Sequence, residues 1–285
     1  MKFRKFSTLL ASLSITTAIL VGCGSGEEAS TADDSGAKVI KVALSDDVNP
    51  PFLYTDSDNN PVGYDIDYLN AVEEKLEGTY TFEYQFGAEE SNLIGVSTKK
   101  SDFAINWFFK NPEREEKFLY GDPEYGYSMT ALIVHEDITD IQSFEDLQGK
   151  KLGLMAPSGG LRTIINNYNE KNPDKAVKID TIENPSNADN LKGLAEGRYD
   201  AVFLNVSTFE AIQKEMNLDI KVGGIVSKEP VYIVYNKDNT EIQQAINEAT
   251  NELREDGILS ELAEKWFGVD FFQDVEYINK EQYNF

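Results

Sequence analysis

The sequence predicts an α/β fold with a mainly parallel sheet, divided between two lobes. Three observations carry that reading. Strand-like and helix-like periodicities alternate from Val39 onward. The chain has 285 residues, 41% of them hydrophobic and 11% aromatic, enough to bury a sizeable core in one large domain or two smaller ones. A piece of the pattern also recurs. Thr98-Lys-Lys-Ser-Asp102 followed by Phe-Ala-Ile-Asn106 echoes Glu196-Gly-Arg-Tyr-Asp200 followed by Ala-Val-Phe-Leu-Asn205. Each is a helix end, a basic turn, an Asp, a buried strand and an Asn. Residues at strand C-termini face the ligand crevice in open α/β sheets, so two such strands would present Asn106 and Asn205 across one cleft. Chance likeness of two turns is the competing account.

Taken in order, residues 1–22 read as an export signal. Lys2, Arg4 and Lys5 precede an apolar stretch to Val21 that Ser and Thr interrupt, too short for a transmembrane helix. Leu20-Val21-Gly22-Cys23 resembles the lipobox of bacterial lipoproteins, which implies a lipid on Cys23 as the mature N-terminus. An ordinary signal peptide is the alternative. Removal of 1–22 takes away three basic residues and no acidic one, leaving 23 Lys+Arg against 50 Asp+Glu. Residues 23–37 are small, polar and acidic, with nothing to bury, and read as a flexible tether. The expected place is therefore the extracellular face of the cell membrane, held there by lipid.

Residues 39–44 form the first strand. Over 65–76, Ile66, Leu69, Val72 and Leu76 share one helical face, and Gly78 stands where a glycine ends a helix. Tyr80, Phe82, Tyr84 and Phe86 alternate with polar residues as in a half-buried strand. Residues 103–108 are a further strand. Strands at 151–155, 177–179 and 201–204 then alternate with helices at 161–169, 188–195 and 208–216. Helices at 241–255 and 258–266 close the chain, separated by Asp256-Gly257.

Composition removes whole classes of function. A formal charge of −24 argues against a sequence-independent nucleic-acid binder, which needs a basic surface. A single Cys, Cys23, excludes an internal disulfide and a thiolate-rich metal site. A single His, His135, leaves no Ser–His–Asp triad or multi-His metal site to expect, and the residue reads as structural. No cofactor is implied.

Several short motifs then fall in a telling order. They are Pro51-Phe52, Pro61-Val-Gly-Tyr-Asp-Ile-Asp67, Asn111-Pro-Glu-Arg114 with Asp122-Pro123 and Tyr125, and Ser143-Phe-Glu-Asp-Leu-Gln-Gly-Lys-Lys-Leu-Gly153. Gly197-Arg-Tyr-Asp200 follows, then Leu253-Arg-Glu-Asp-Gly257 running on to Glu264-Lys-Trp-Phe-Gly268. Across 38–270 this arrangement resembles family 3 of the extracellular solute-binding proteins, which serve amino-acid ABC transporters. Lys110-Asn-Pro-Glu-Arg114 and Asn169-Glu-Lys-Asn-Pro-Asp174 are most similar to the cystine and sulfur-amino-acid subgroup. The resemblance implies a two-lobed, type II periplasmic-binding-protein-like fold with two hinge crossings, near 128–130 and 225–231. Lobe 1 would be 38–129 with 228–285, and lobe 2 would be 130–227, closing on ligand by a few backbone rotations.

In that family the Arg at the position of Arg114 grips the ligand α-carboxylate, for which a planar guanidinium fork is suited. A surface ion pair with Glu113, Glu115 or Glu116 is the plainer account. Ser158-Gly159-Gly160 precedes a helix, where free N–H groups attract anions, although such a turn is common. Asn205 departs from the family, most members placing there an Asp that pairs with the ligand ammonium. Asn brings no charge, and Asp46 would be the substitute. Asn49 stands where an aromatic usually stacks, and Phe109 where Ser or Thr usually bonds the carboxylate. Strand alternation sends Trp107 and Phe109 to one face and Phe108 to the other. If that face lines the cleft, the pocket suits a sulfur-containing or hydrophobic side chain. Asp65 and Asp67 read as helix N-terminal acids rather than a catalytic pair.

The function implied is a non-catalytic, lipid-anchored monomer that captures an amino acid or close analogue for an ABC transporter permease. The alternatives are a dehydratase-like enzyme on the same fold and a sensory or adhesive lipoprotein.

Overall fold

The computed structural model describes residues 36–46 and 50–282. The export signal, Cys23, most of the tether and Asn49 lie outside the described residues. Ala37, which the tether reading includes, belongs to the folded part. Ala37 is 3% exposed, and the Lys38 amide donates to the Thr79 carbonyl at 3.0 Å.

Strand β1 (Lys38–Ser45) is the first core element, burying Ile40, Val42 and Leu44 completely. Two short strands, β2 (Tyr54–Thr55) and β3 (Pro61–Val62), form a hairpin that leads into helix α1 (Tyr64–Lys75). The start of α1 has no side-chain cap, because backbone carbonyls take that role. Tyr64 and Asp65 N–H donate to Pro51 and Phe52 C=O at 3.0 and 3.1 Å. This close approach requires Gly63. Its φ of +135° is open to glycine alone, and a Cβ there would collide with the Phe52 carbonyl. Strand β4 (Tyr80–Gly87) follows a turn in which Gly78 has φ +78°, and its aromatic face is half-buried, with Phe86 at the exposed end. Helix α2 (Glu89–Ser97), strand β5 (Phe103–Phe108), helix α3 (Pro112–Lys117) and strand β6 (Phe118–Tyr120) complete this part.

Two long strands then carry the chain across and back. β7 (Gly126–His135) pairs antiparallel with β9 (Ile220–Asn236) along its whole length. Between them lie helix α4 (Gly160–Lys171), helix α5 (Asn187–Ala195), strand β8 (Val202–Asn205) and helix α6 (Val206–Met216). Helices α7 (Thr240–Glu255) and α8 (Ile258–Phe267) return to pack on α1. The sheet order is β4-β1-β5-β9-β7-β8, with β6 also on β9.

The α/β class and the two lobes hold, but the sheet is mixed rather than mainly parallel. Among the described strands, only β1 with β4 and β1 with β5 are parallel, whereas β9 runs antiparallel to β5, β6 and β7. The physical reason is the double crossing, since a chain that leaves a lobe and returns beside itself must pair antiparallel. Two of the expected strands are also absent as strands. Residues 151–155 and 177–179 join no strand ladder, and isolated parallel bridges link Leu152 to Ala201 and Met155 to Thr181. Asparagine amides stand in for the missing ladder. Asn190 accepts from Leu154 N–H at 3.1 Å and donates to its C=O at 2.8 Å. Asn169 treats Val177 the same way, at 2.7 and 3.0 Å.

The internal echo is structural. Asp102 accepts from the Lys41 amide at 2.8 Å while its own N–H donates to the Lys41 carbonyl at 2.8 Å. Asp200 does the same to Lys151, at 2.6 and 2.8 Å. The preceding turns match too. Lys99 and Gly197 both have left-handed φ, and Lys100 and Arg198 N–H return to the carbonyls of Gly95 and Gly193. Each lobe thus uses one Asp to clamp a chain segment to its neighbour, and each clamp leads into a strand that carries an Asn, Asn106 inside β5 and Asn205 at the end of β8.

Candidate functional site

Both asparagines open into one cleft. A cavity of about 480 Å³ is lined by Asn106 and Trp107 from β5, Asn205 from the end of β8, Ser128 from β7, and Phe52, Asp65, Glu89 and Phe109. A second compartment of about 570 Å³ continues from it past Phe52, Trp107, Ser128 and Ser207. It is bounded by Trp266, Phe267 and Phe271 on one side and by α6, with Glu210 and Lys214, on the other.

Trp107 forms the floor, and strand alternation alone does not put it there. The β5–β9 register shifts between Ala104 and Phe108, and Trp107 has φ +54°, a conformation that L-residues rarely adopt. The bulge leaves Phe108 in the core, turns Trp107 onto the cleft and leaves Phe109 45% exposed at its edge. Three contacts hold Trp107 in place. Its N–H donates to the Tyr125 hydroxyl at 2.9 Å, its indole N–H donates to Asp65 at 2.9 Å, and Phe52 meets its ring edge-on at 4.4 Å.

Asp65 is the largest surprise at the site. It is 2% exposed, no Lys or Arg pairs with it among the described residues, and burial raises its carboxyl to about 7. Hydrogen bonds from Trp107 and Tyr125 oppose that rise only in part. Its helix-start companion Asp67 takes another role, accepting from Lys265 and from the Trp266 indole, each at 2.7 Å, and so tying α1 to α8. The sequence reading of both as dipole partners therefore misses what they bind. The missed signal was Gly63, which fixes Asp65 directly under the Pro51–Phe52 backbone.

Arg114 sits on the far side of Glu89 from the cleft. Asn111 caps α3 by accepting from the Arg114 amide at 2.9 Å, and Pro112 fills the first helical position. The guanidinium lies over the Phe108 ring at 5.2 Å and pairs with Glu89 at 2.6 Å. The neighbouring acids do not take it, since Glu113 pairs with Lys117 at 2.8 Å. Glu89, which sequence reasoning passed over, also accepts from the Asn106 amide at 3.2 Å. Asn205 donates to the Ser128 hydroxyl at 3.0 Å, joining the end of β8 to the hinge strand. Ser158 and Gly159 are exposed at the start of α4, and Asp46 is exposed at the end of β1; none of the three lines either compartment. His135 ends β7 within 3.6 Å of Asp137, away from the cleft. No group of three His, Cys, Asp or Glu is arranged to hold a metal ion among the described residues, and no helix there is long and apolar enough to cross a membrane.

Residues 40–269 match the family described as bacterial extracellular solute-binding proteins, family 3. The chain belongs to that family. Among relatives of this solute-binding protein, the probable amino-acid-binding protein YxeM of Bacillus subtilis is 31% identical over 95% of this chain and 97% of its own. The L-cystine-binding protein TcyK of the same organism is 26% identical over 93% and 94%. The crystal structure of the L-cystine solute receptor of Neisseria gonorrhoeae, unliganded and open, superposes with a TM-score of 0.68 at 25% identity. That likeness covers 83% of this chain and 95% of the receptor.

Proposed function

We propose that this solute-binding protein is the extracellular receptor of an ABC importer, held to the membrane by lipid on Cys23. Its ligand is a free amino acid, with L-cystine or a related sulfur or polar amino acid the first candidates. The cleft carries this reading. Two clamped strands, one per lobe, present Asn106 and Asn205 to a cavity backed by the β7–β9 crossing, and a ligand there touches both lobes at once. The Phe52 and Trp107 rings favour a thioether or disulfide sulfur, which is soft and polarisable against aromatic edges. Arg114 supplies carboxylate recognition, Ser158 and Gly159 join it only when the lobes close, and Trp107 and Phe109 line the side-chain end. The bodies that close are 38–129 with 228–285 against 130–227. The register shift of the β7–β9 ladder between Thr130 and Ala131, opposite Ser227 and Ile225, sits where such closure would bend it.

A thermal-shift screen of the purified protein tests this, using the amino acids, L-cystine and their N-acetyl and keto analogues. A ligand at about 100 times its dissociation constant adds about 2.7 kcal/mol, so a true ligand stands out. A shift with an amino acid is the expected result. Silence across the whole panel would overturn the reading.

A further inference from the structure

We infer that Glu89 is the negative partner of the ligand's ammonium group, and that Arg114 and Glu89 together form a zwitterion receptor closed on itself until ligand enters. The inference rests on the amino-acid reading above and supplies the charge that Asn205 lacks.

Among the described residues, Glu89 alone lines both the cleft and the adjoining surface pocket that holds Arg114. One of its oxygens takes the Arg114 guanidinium at 2.6 Å and the other takes the Asn106 amide at 3.2 Å. Arg114 is therefore screened from the cleft by an internal carboxylate that occupies the place of a ligand carboxylate. The pair is only part-buried, its side chains 27% and 46% exposed, so its net contribution to folding is small and opening it is inexpensive. Charge balance then fixes what can open it. A bare carboxylate would take Arg114 but strand Glu89 against Asn106 without a cation. An α-amino acid satisfies both, its carboxylate on Arg114 and its ammonium on Glu89, so one ion pair becomes two. Asn205, which is neutral and bonds Ser128, flanks such a ligand without competing for either charge, and Asn106 keeps the second Glu89 oxygen in place beside it.

The test is calorimetric binding of free amino acids, L-cystine included, against their N-acetyl counterparts. It compares the wild-type protein with Glu89→Gln and Arg114→Ala, each checked for an unchanged melting profile. The expected result is that Glu89→Gln weakens free amino acids about tenfold or more, the scale of one charge-assisted bond. The same variant should bind the N-acetyl forms as well as wild type or better, since the competing carboxylate is gone. Arg114→Ala should weaken both classes. Free amino acids that bind Glu89→Gln as tightly as wild type, or more tightly, would overturn the inference while leaving the receptor reading intact. Loss of neither class in Arg114→Ala would likewise overturn the inference alone, whereas no binding to the wild-type protein would overturn the receptor reading and this inference with it.

Discussion

At the scale of single residues, Asp65 shows how a position can be correct in sequence and wrong in role. An acid at a helix start ordinarily faces water and offsets the dipole. Here Gly63 folds the chain so tightly onto Phe52 that Asp65 is sealed beneath Trp107, with hydrogen bonds but no cation. The sign of its effect on stability follows. Its folded value, about 7, lies above the ordinary carboxyl range, so between pH 4 and 7 the folded state holds a proton that the unfolded state has lost. That contribution is complete at low pH and disappears as pH rises through 7, with a slope of up to about 1.4 kcal/mol per pH unit. Urea denaturation from pH 4.5 to 8 should therefore show Asp65→Asn with a flatter dependence than wild type. Parallel curves would mean that Asp65 is ionised throughout. Trp107 and Glu89 mark the limit of sequence reading at this scale. Alternation separates Trp107 and Phe109 from Phe108, but the positive φ that turns the indole to the cleft depends on Tyr125 and Phe52, both remote in sequence. Glu89 carries no local signal either, because its partners Arg114 and Asn106 meet it only once β5 and α3 are placed.

Among the secondary-structure elements, helices and inner strands were the legible part, since periodicity is a local property. The 65–76 and 241–255 patterns became α1 and α7 within a residue of their expected ends. The hinge strands were expected only as two short crossings, yet β9 runs for 17 residues. Its Gly223 and Gly224 lie against the carbonyls of Ile141 and Gln142, an approach that no periodicity announces. The misread strands at 151–155 and 177–179 have the apolar content of strands but bond to asparagine side chains. Asn190 should therefore matter as much as a ladder pair. Asn190→Ala removes two hydrogen bonds and leaves both Leu154 backbone groups unpaired, for an expected loss of about 2 to 4 kcal/mol. Urea midpoints measure this, and a loss below about 0.5 kcal/mol would show that water replaces the side chain.

For the molecule as a whole, the recurring Asp clamp ties the Asn-bearing strand of each lobe to its neighbour, and both asparagines line one cleft. The family motifs gain a physical basis from the same view. Asp67 of the Gly-Tyr-Asp-Ile-Asp segment bonds Lys265 and Trp266 of the Glu-Lys-Trp-Phe-Gly segment, so two distant motifs form one joint behind the cleft. The chain contains two tryptophans, Trp107 and Trp266, and both line the cleft compartments. Intrinsic fluorescence therefore reads the proposed site directly. The decisive measurement is a fluorescence titration of the purified protein with L-cystine and the other amino acids, repeated with Arg114→Ala. The account predicts a saturable change with at least one amino acid, shifted to higher concentration in the variant. A spectrum unmoved by every amino acid, or a change indifferent to Arg114, would contradict it.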